Sequence, residues 1–148
     1  YFTFVGGENN HGQTVRVEVS PQGERIFGAL PTLAKMLADQ GHNLIIDEVL
    51  LSDETLKAYA ENLMAHDVYF IGVFCSLAAM QEREILRGDR AIGLSNDQID
   101  RVHAGVREYD LKVDTSDSAP FAVAKEILAF IDKCNKPYGF KKMHELLL

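Results

Sequence analysis

The chain has 148 residues, 47% of them hydrophobic and 25% charged, so it is about one domain long with enough apolar material for an ordinary core. Its formal net charge of -7 argues against a nucleic-acid or anionic-membrane surface as its main business. No run is long enough to span a bilayer, no signal peptide is evident, and Cys75 and Cys134 lack metal spacing or a disulfide framework, so a reducing, cytoplasmic setting is the default expectation.

The opening, "YFTFVGG", has no methionine and reads like the middle of a fold, which creates the expectation that residues precede it. "NNHGQ" and "SPQGE" are turn chemistry, and "TVRVEV" between them alternates as an exposed strand or hairpin arm does. Ile26, Leu30, Leu33, Ala34 and Leu37 then mark one helical face, closed by Gly41 as a C-terminal cap, with Pro31 starting or kinking the regular part.

Asn43–Leu51, "NLIIDEVLL", is a near-continuous apolar run of the kind a strand covered on both faces needs. Ser52 can cap the next helix, with Asp53 and Glu54 in its first turn and Leu56, Tyr59, Ala60, Leu63 and Met64 as its buried stripe. Val68–Phe74 predicts a second buried strand, followed by a helix over Leu77–Arg87. Ser95 and Gln98 have capping-box spacing for a helix through about Val106. A third strand is expected at Leu111–Val113. The last helix has Pro120 in its first turn and an apolar face of Phe121, Ala124, Ile127, Leu128 and Ile131. The tail from Lys136 reads as a loosely attached turn and helix stub.

Strand–helix alternation of this kind predicts a parallel sheet with crossover helices, an α/β architecture. Three strands make a thin sheet, which again points to one or two more upstream. Ligands bind outside the carboxyl ends of such strands, so function should lie at Asp47–Glu48, Cys75–Ser76 and Asp114–Ser116.

Three features there carry chemistry. Asp47 and Glu48 follow four apolar residues, the pattern of a Walker B strand whose carboxylate holds Mg²⁺ directly or through water. Adjacent strand positions face opposite ways, so one acid can meet an ion while the other accepts a proton or binds substrate. An acidic pair that merely starts the next helix is the plainer alternative. "EREILRGDRAIGL" places Arg83, Arg87 and Arg90 together before Gly93, the first two on one helical face. Such a cluster suits a polyphosphate closed over by a lid, although a solvated helix end complementing its dipole also fits. Finally, in "VDTS", Asp114, Thr115 and Ser116 would sit near an adenine or cap the final helix.

From about Ala34 to Ile131, roughly two-thirds of the chain, the sequence resembles chloramphenicol phosphotransferase and its relatives, small P-loop kinases that phosphorylate an antibiotic hydroxyl. "NLIIDEVLL", "EREILRGDRAIG", "VHAGVREYDLKVDTS" and the apolar closing helix carry the likeness, in that order. It implies a parallel-sheet, Rossmann-like three-layer fold in a single domain over 1–148, lacking its first βαβ portion. It implies ATP and Mg²⁺ as cofactors and γ-phosphoryl transfer to a hydroxyl of a small molecule. Neither nucleic acid nor membrane is an expected partner, and a homo-oligomer is allowed.

Residue by residue, the resemblance implies that Asp47 is the metal-binding acid with Glu48 beside it. Arg87 and Arg90 would be the lid arginines that stabilise the transferring phosphoryl group, with Arg83, Asp114 and Thr115 completing the nucleotide site. His103 and Tyr109 fall in the matching stretch and read as packing or hydrogen-bonding residues. The departure is that no Gly-Lys-Ser or Gly-Lys-Thr occurs anywhere, so the phosphate-binding loop is missing from this sequence. The alternatives are therefore a kinase-derived domain that binds a ligand or protein partner without catalysis, or a fragment completed by another chain.

Overall fold

In the computed structural model, residues 1–147 are described, and they form a mixed α/β fold. Two strands, β1 (Phe2–Asn9) and β2 (Gly12–Val19), pair antiparallel from Phe2↔Val19 to Asn9↔Gly12. This is the hairpin that the turn residues foreshadow, and Gly12 takes φ 103 to turn the chain.

Ser20 caps α1 (Pro21–Asp39) by accepting the Gly23 N–H, and Pro31 lies inside the helix. At its end the N–H of Gly41 reaches Ala38 O and that of His42 reaches Leu37 O, a Schellman closure that Gly41 permits at φ 85. Ser52 likewise caps α2 (Asp53–Leu63), whose Leu56, Tyr59, Ala60 and Leu63 are buried as their spacing predicts.

Between these helices the expected strand does not form. Asn43–Leu51 runs outside any sheet, with Ile45 wholly exposed. An extended run becomes a strand only when a neighbour takes up its N–H and C=O groups, and among the described residues no strand pairs with this one. The parallel sheet therefore has two strands rather than three: β3 (Ile71–Phe74) and β4 (Leu111–Asp114), in register Ile71↔Leu111 to Phe74↔Asp114.

Helix α3 (Leu77–Arg87) follows β3, capped by Ser76 and stopped by Gly88 in the left-handed region at φ 67. Helix α4 covers only Leu94–Gln98, starts from Gly93, and does not run to Val106; Ser95 lies within it rather than capping it. The N-terminal cap comes instead from Glu84, and the chain then turns through bonds from Arg101 N–H to Gln98 O and from Ala104 N–H to Arg101 O.

Helix α5 (Pro120–Lys133) buries Val123, while Phe121 and Leu128 of the expected inward face stay exposed. Apolar residues surround most of that helix, so periodicity alone does not select a face, and a two-stranded sheet covers little of it. The tail is a further correction. Helix α6 (Gly139–Leu147) packs on α2, with Phe140 buried and Met143 completely so. These two join Ala34, Leu56, Tyr59, Ala60, Leu63 and Phe70 in the main core. Burying each large side chain contributes about 1.5–3 kcal/mol, so the tail is integral to the fold. No helix among the described residues is long and apolar enough to cross a membrane.

Candidate functional site

The carboxyl ends of β3 and β4 lie side by side, and their loops are tied together. The N–H of Thr115 donates to Phe74 O at 2.8 Å, and the Ser76 N–H donates to Ser116 Oγ at 2.8 Å. Within the second loop Asp114 accepts the Ser116 N–H at 2.7 Å. The hydroxyl and amide of Ser116 hold the Asp114 carboxyl below the usual carboxylate range. Asp114 therefore shapes its loop.

The three arginines divide. Arg83 binds protein: its guanidinium donates to Thr115 Oγ1 at 3.2 Å, to the carbonyls of Thr115 and Ser116, and toward Cys75 Sγ at 3.3 Å. This planar fork fastens α3 to the β4 loop. Arg87, in the last turn of α3, meets Asp89 at 3.4 Å with both side chains more than half exposed, a pairing worth little in water. Arg90 is exposed and makes no ion pair among the described residues. Two guanidiniums at the end of α3 are thus available to an anion, and the third is already satisfied.

Arg83 also lines an open groove of about 480 Å³. Val123, Ala124 and Ile127 of α5 give it an apolar wall, and Arg83, Thr115 and Ser118 provide polar groups. Apolar walls with a few placed polar groups are what a planar aromatic ligand needs.

Asp47 and Glu48 are exposed on the unpaired segment, and among the described residues nothing joins them to the arginines by hydrogen bond or ion pair. Glu48 accepts a hydrogen bond from Tyr59 at 3.3 Å. Burial first, and the Glu48 charge second, push the Tyr59 hydroxyl up to about 12. No three His, Cys, Asp or Glu side chains among the described residues gather as a metal cage. Mg²⁺ needs none, since it is held by one or two carboxylates together with phosphate oxygens and water. Asp47 fits that requirement as an uncommitted carboxylate; Arg87 and Arg90 fit terminal phosphate oxygens. No residue here matches the Lys-Ser/Thr grip on the inner phosphates.

His103 lies in the turn after α4, not on a helix. Its ring stacks on Phe74 with centroids 3.9 Å apart at 18°. Because Val73 O only accepts, Nε2 carries the proton toward it at 3.2 Å and Nδ1 faces the Tyr109 hydroxyl at 2.8 Å. Burial lowers the His103 pKa and raises that of Tyr109.

Sequence reasoning passed over two features. Glu84 is buried on α3, in step with Leu77 and Met80 at helical spacing, and accepts the N–H groups of Gly93 at 2.8 Å and Ser95 at 3.0 Å. An acid on the inward stripe of a helix is the signal that could have found it. The docking of the hairpin on α4 is the other. Asn96 donates to His11 O at 3.1 Å and Gln13 O at 2.8 Å, while its own carbonyl takes Asn9 Nδ2 at 2.7 Å. Buried Asp97 accepts from Arg16 Nε at 3.0 Å and also pairs with Arg101. No spacing rule links residues so distant.

The sequence matches the family model described as chloramphenicol phosphotransferase-like protein across residues 8–132. It is 29% identical over 110 residues to two Mycobacterium tuberculosis proteins, from strains H37Rv and CDC 1551, each bearing the name "Putative O-phosphotransferase". The aligned stretch is 74% of this chain and 48% of each relative, so the chain spans about half the length of the curated relatives it matches.

Proposed function

The chain belongs to the chloramphenicol phosphotransferase-like family, and from that membership we propose that it serves an ATP-dependent phosphotransferase activity on a small-molecule hydroxyl. The observation that carries the reading is the division among the arginines: Arg83 is engaged by the β4 loop and lines the groove, whereas Arg87 and Arg90 are exposed, Arg87 with only a surface pairing to Asp89.

In this reading the nucleotide base occupies the groove at Thr115 and Ser118, with Arg83 as its organiser. Asp47 would hold Mg²⁺, which would supply charge neutralisation at the phosphates. Arg87 and Arg90 close on the γ-phosphoryl oxygens, where negative charge spreads in the transition state. The acceptor oxygen forms the new bond to phosphorus as the bond to the β-phosphate oxygen breaks, ADP leaves, and the hydroxyl proton passes to a carboxylate. Glu48 is the candidate acceptor for that proton. It either takes the proton or orients the hydroxyl.

The test is transfer of labelled γ-phosphate from Mg·ATP to chloramphenicol and other hydroxyl compounds by the protein. Product formation supports the reading, and its absence across acceptors overturns it. A second reading, a domain that binds without catalysing, is favoured by the lack of a Gly-Lys-Ser/Thr sequence. Isothermal titration separates the two: no heat with Mg·ATP favours the second.

A further inference from the structure

We propose that Glu84 is the positioning residue of the arginine-bearing loop, holding its far end at a fixed distance from α3 so that Arg90 stands opposite Arg87. The proposal rests on the phosphotransferase reading, since it gives that loop its task.

The side chain of Glu84 is buried while its neighbours Ile85 and Leu86 are 65% and 76% exposed. A carboxylate is rarely placed inside unless its oxygens are satisfied. Here each oxygen has its own partner: Oε2 accepts the Gly93 N–H at 2.8 Å and Oε1 the Ser95 N–H at 3.0 Å. Both donors lie beyond the arginine loop, so one side chain on α3 grips the point where the loop ends.

That end is fixed from its other side as well. Gly93 O accepts the Val15 N–H of the hairpin at 3.0 Å. Gly93 takes φ 106, and a Cβ there would stand 3.0 Å from Gln13 O and Val15 N, so only glycine fits between hairpin and helix. At the near end α3 stops at Gly88, also left-handed, and Arg83 ties α3 to the β4 loop. The segment from Gly88 to Gly93 is thus a short arch with both feet clamped. Arg87 stands at one foot and Arg90 on the span. Cutting the Glu84 contacts frees one foot and lets Arg90 drift while leaving Arg87 on its helix.

Glu84→Gln is the near-isosteric test. It keeps one acceptor and turns an amide NH2 toward the other N–H. Amide resonances of Gly93 and Ser95, read by NMR on this chain, should shift and exchange faster. In the enzyme kcat should fall about 10- to 100-fold, as for a misplaced catalytic group, while KM for ATP changes by less than about threefold. Glu84→Ala should reproduce that split more severely. A purely structural role would lower Tm and leave kcat per folded molecule intact, so that result overturns the proposal. Unaltered Gly93 and Ser95 amides overturn it too. If the wild-type enzyme transfers no phosphoryl group, the parent reading fails and the positioning role falls with it; unaltered amides in an active enzyme sink this proposal alone.

Discussion

Arg83 and Thr115, 32 residues apart in sequence, are joined by a guanidinium-to-hydroxyl bond of 3.2 Å, and the same guanidinium also takes the Thr115 carbonyl. This bond crosses from the helix after β3 to the loop after β4. It gives Arg83 a different task from Arg87 and Arg90, and the difference is measurable.

Arg83→Ala should cost about 1 kcal/mol of stability, below the usual range for charged hydrogen bonds because the site is exposed, and should weaken ATP binding. Arg90→Ala should leave stability unchanged and lower kcat about 100-fold or more, with ATP affinity little altered. Denaturant midpoints and steady-state kinetics read both. Equal effects on kcat from the two substitutions would contradict the division.

Met143, wholly buried on α6, should be costly to truncate. Met143→Ala should destabilise by about 2–5 kcal/mol, and Met143→Leu by less than about 1.5 kcal/mol. Urea unfolding gives both values. A loss of only a few tenths for the alanine variant would mean that the tail is not part of the core.

His103 should remain neutral to below its ordinary pKa, first because it is buried and then because Arg107 and Lys112 lie near it. Its folded pKa is depressed, so the stability it contributes is present above about pH 6.5, the unfolded value, and is lost as pH falls through the folded one. An NMR titration of its Cε1 proton should show a midpoint under 6.5. His103→Phe should flatten that part of the stability profile.

Tyr59 works in the opposite direction. Its hydroxyl is pushed up to about 12, so the folded chain keeps a proton that the unfolded chain gives up near pH 10. The stability it contributes is full below about pH 10 and is lost as pH climbs toward 12. Difference absorbance at 295 nm between wild type and Tyr59→Phe isolates this titration. In Glu48→Gln the midpoint should drop yet stay above 10, because burial is the larger cause.

Much of the framework was legible from local chemistry. Ser52, Gly41 and Gly88 act within a few residues of themselves, so α2 and the ends of α1 and α3 follow from sequence spacing. The stripe from Leu56 to Leu63 is legible for the same reason. What was not legible depends on partners distant in sequence. "NLIIDEVLL" has strand composition, but composition supplies no neighbour to pair with. Ser95 has capping spacing, but its own N–H, which Gln98 would take in a capping box, is bound by Glu84. Met143 reads as a polar-tail residue until α2 is set beside it. Among the candidate site residues, the arginine cluster was visible as a cluster, while which guanidinium was already engaged depended on the carbonyls of Thr115 and Ser116.

The Asn9–Asn96 bond spans 87 residues, which has a consequence for the time course of synthesis. At about 5–20 residues per second, a ribosome needs roughly 4–17 s after making Asn9 before Asn96 exists to receive it. For that interval the hairpin has no seat, and the groups of Asn9, His11, Gln13 and Arg16 that Asn96 and Asp97 later engage have no partner there. Expression yield should therefore depend on how fast the stretch between the two asparagines is translated.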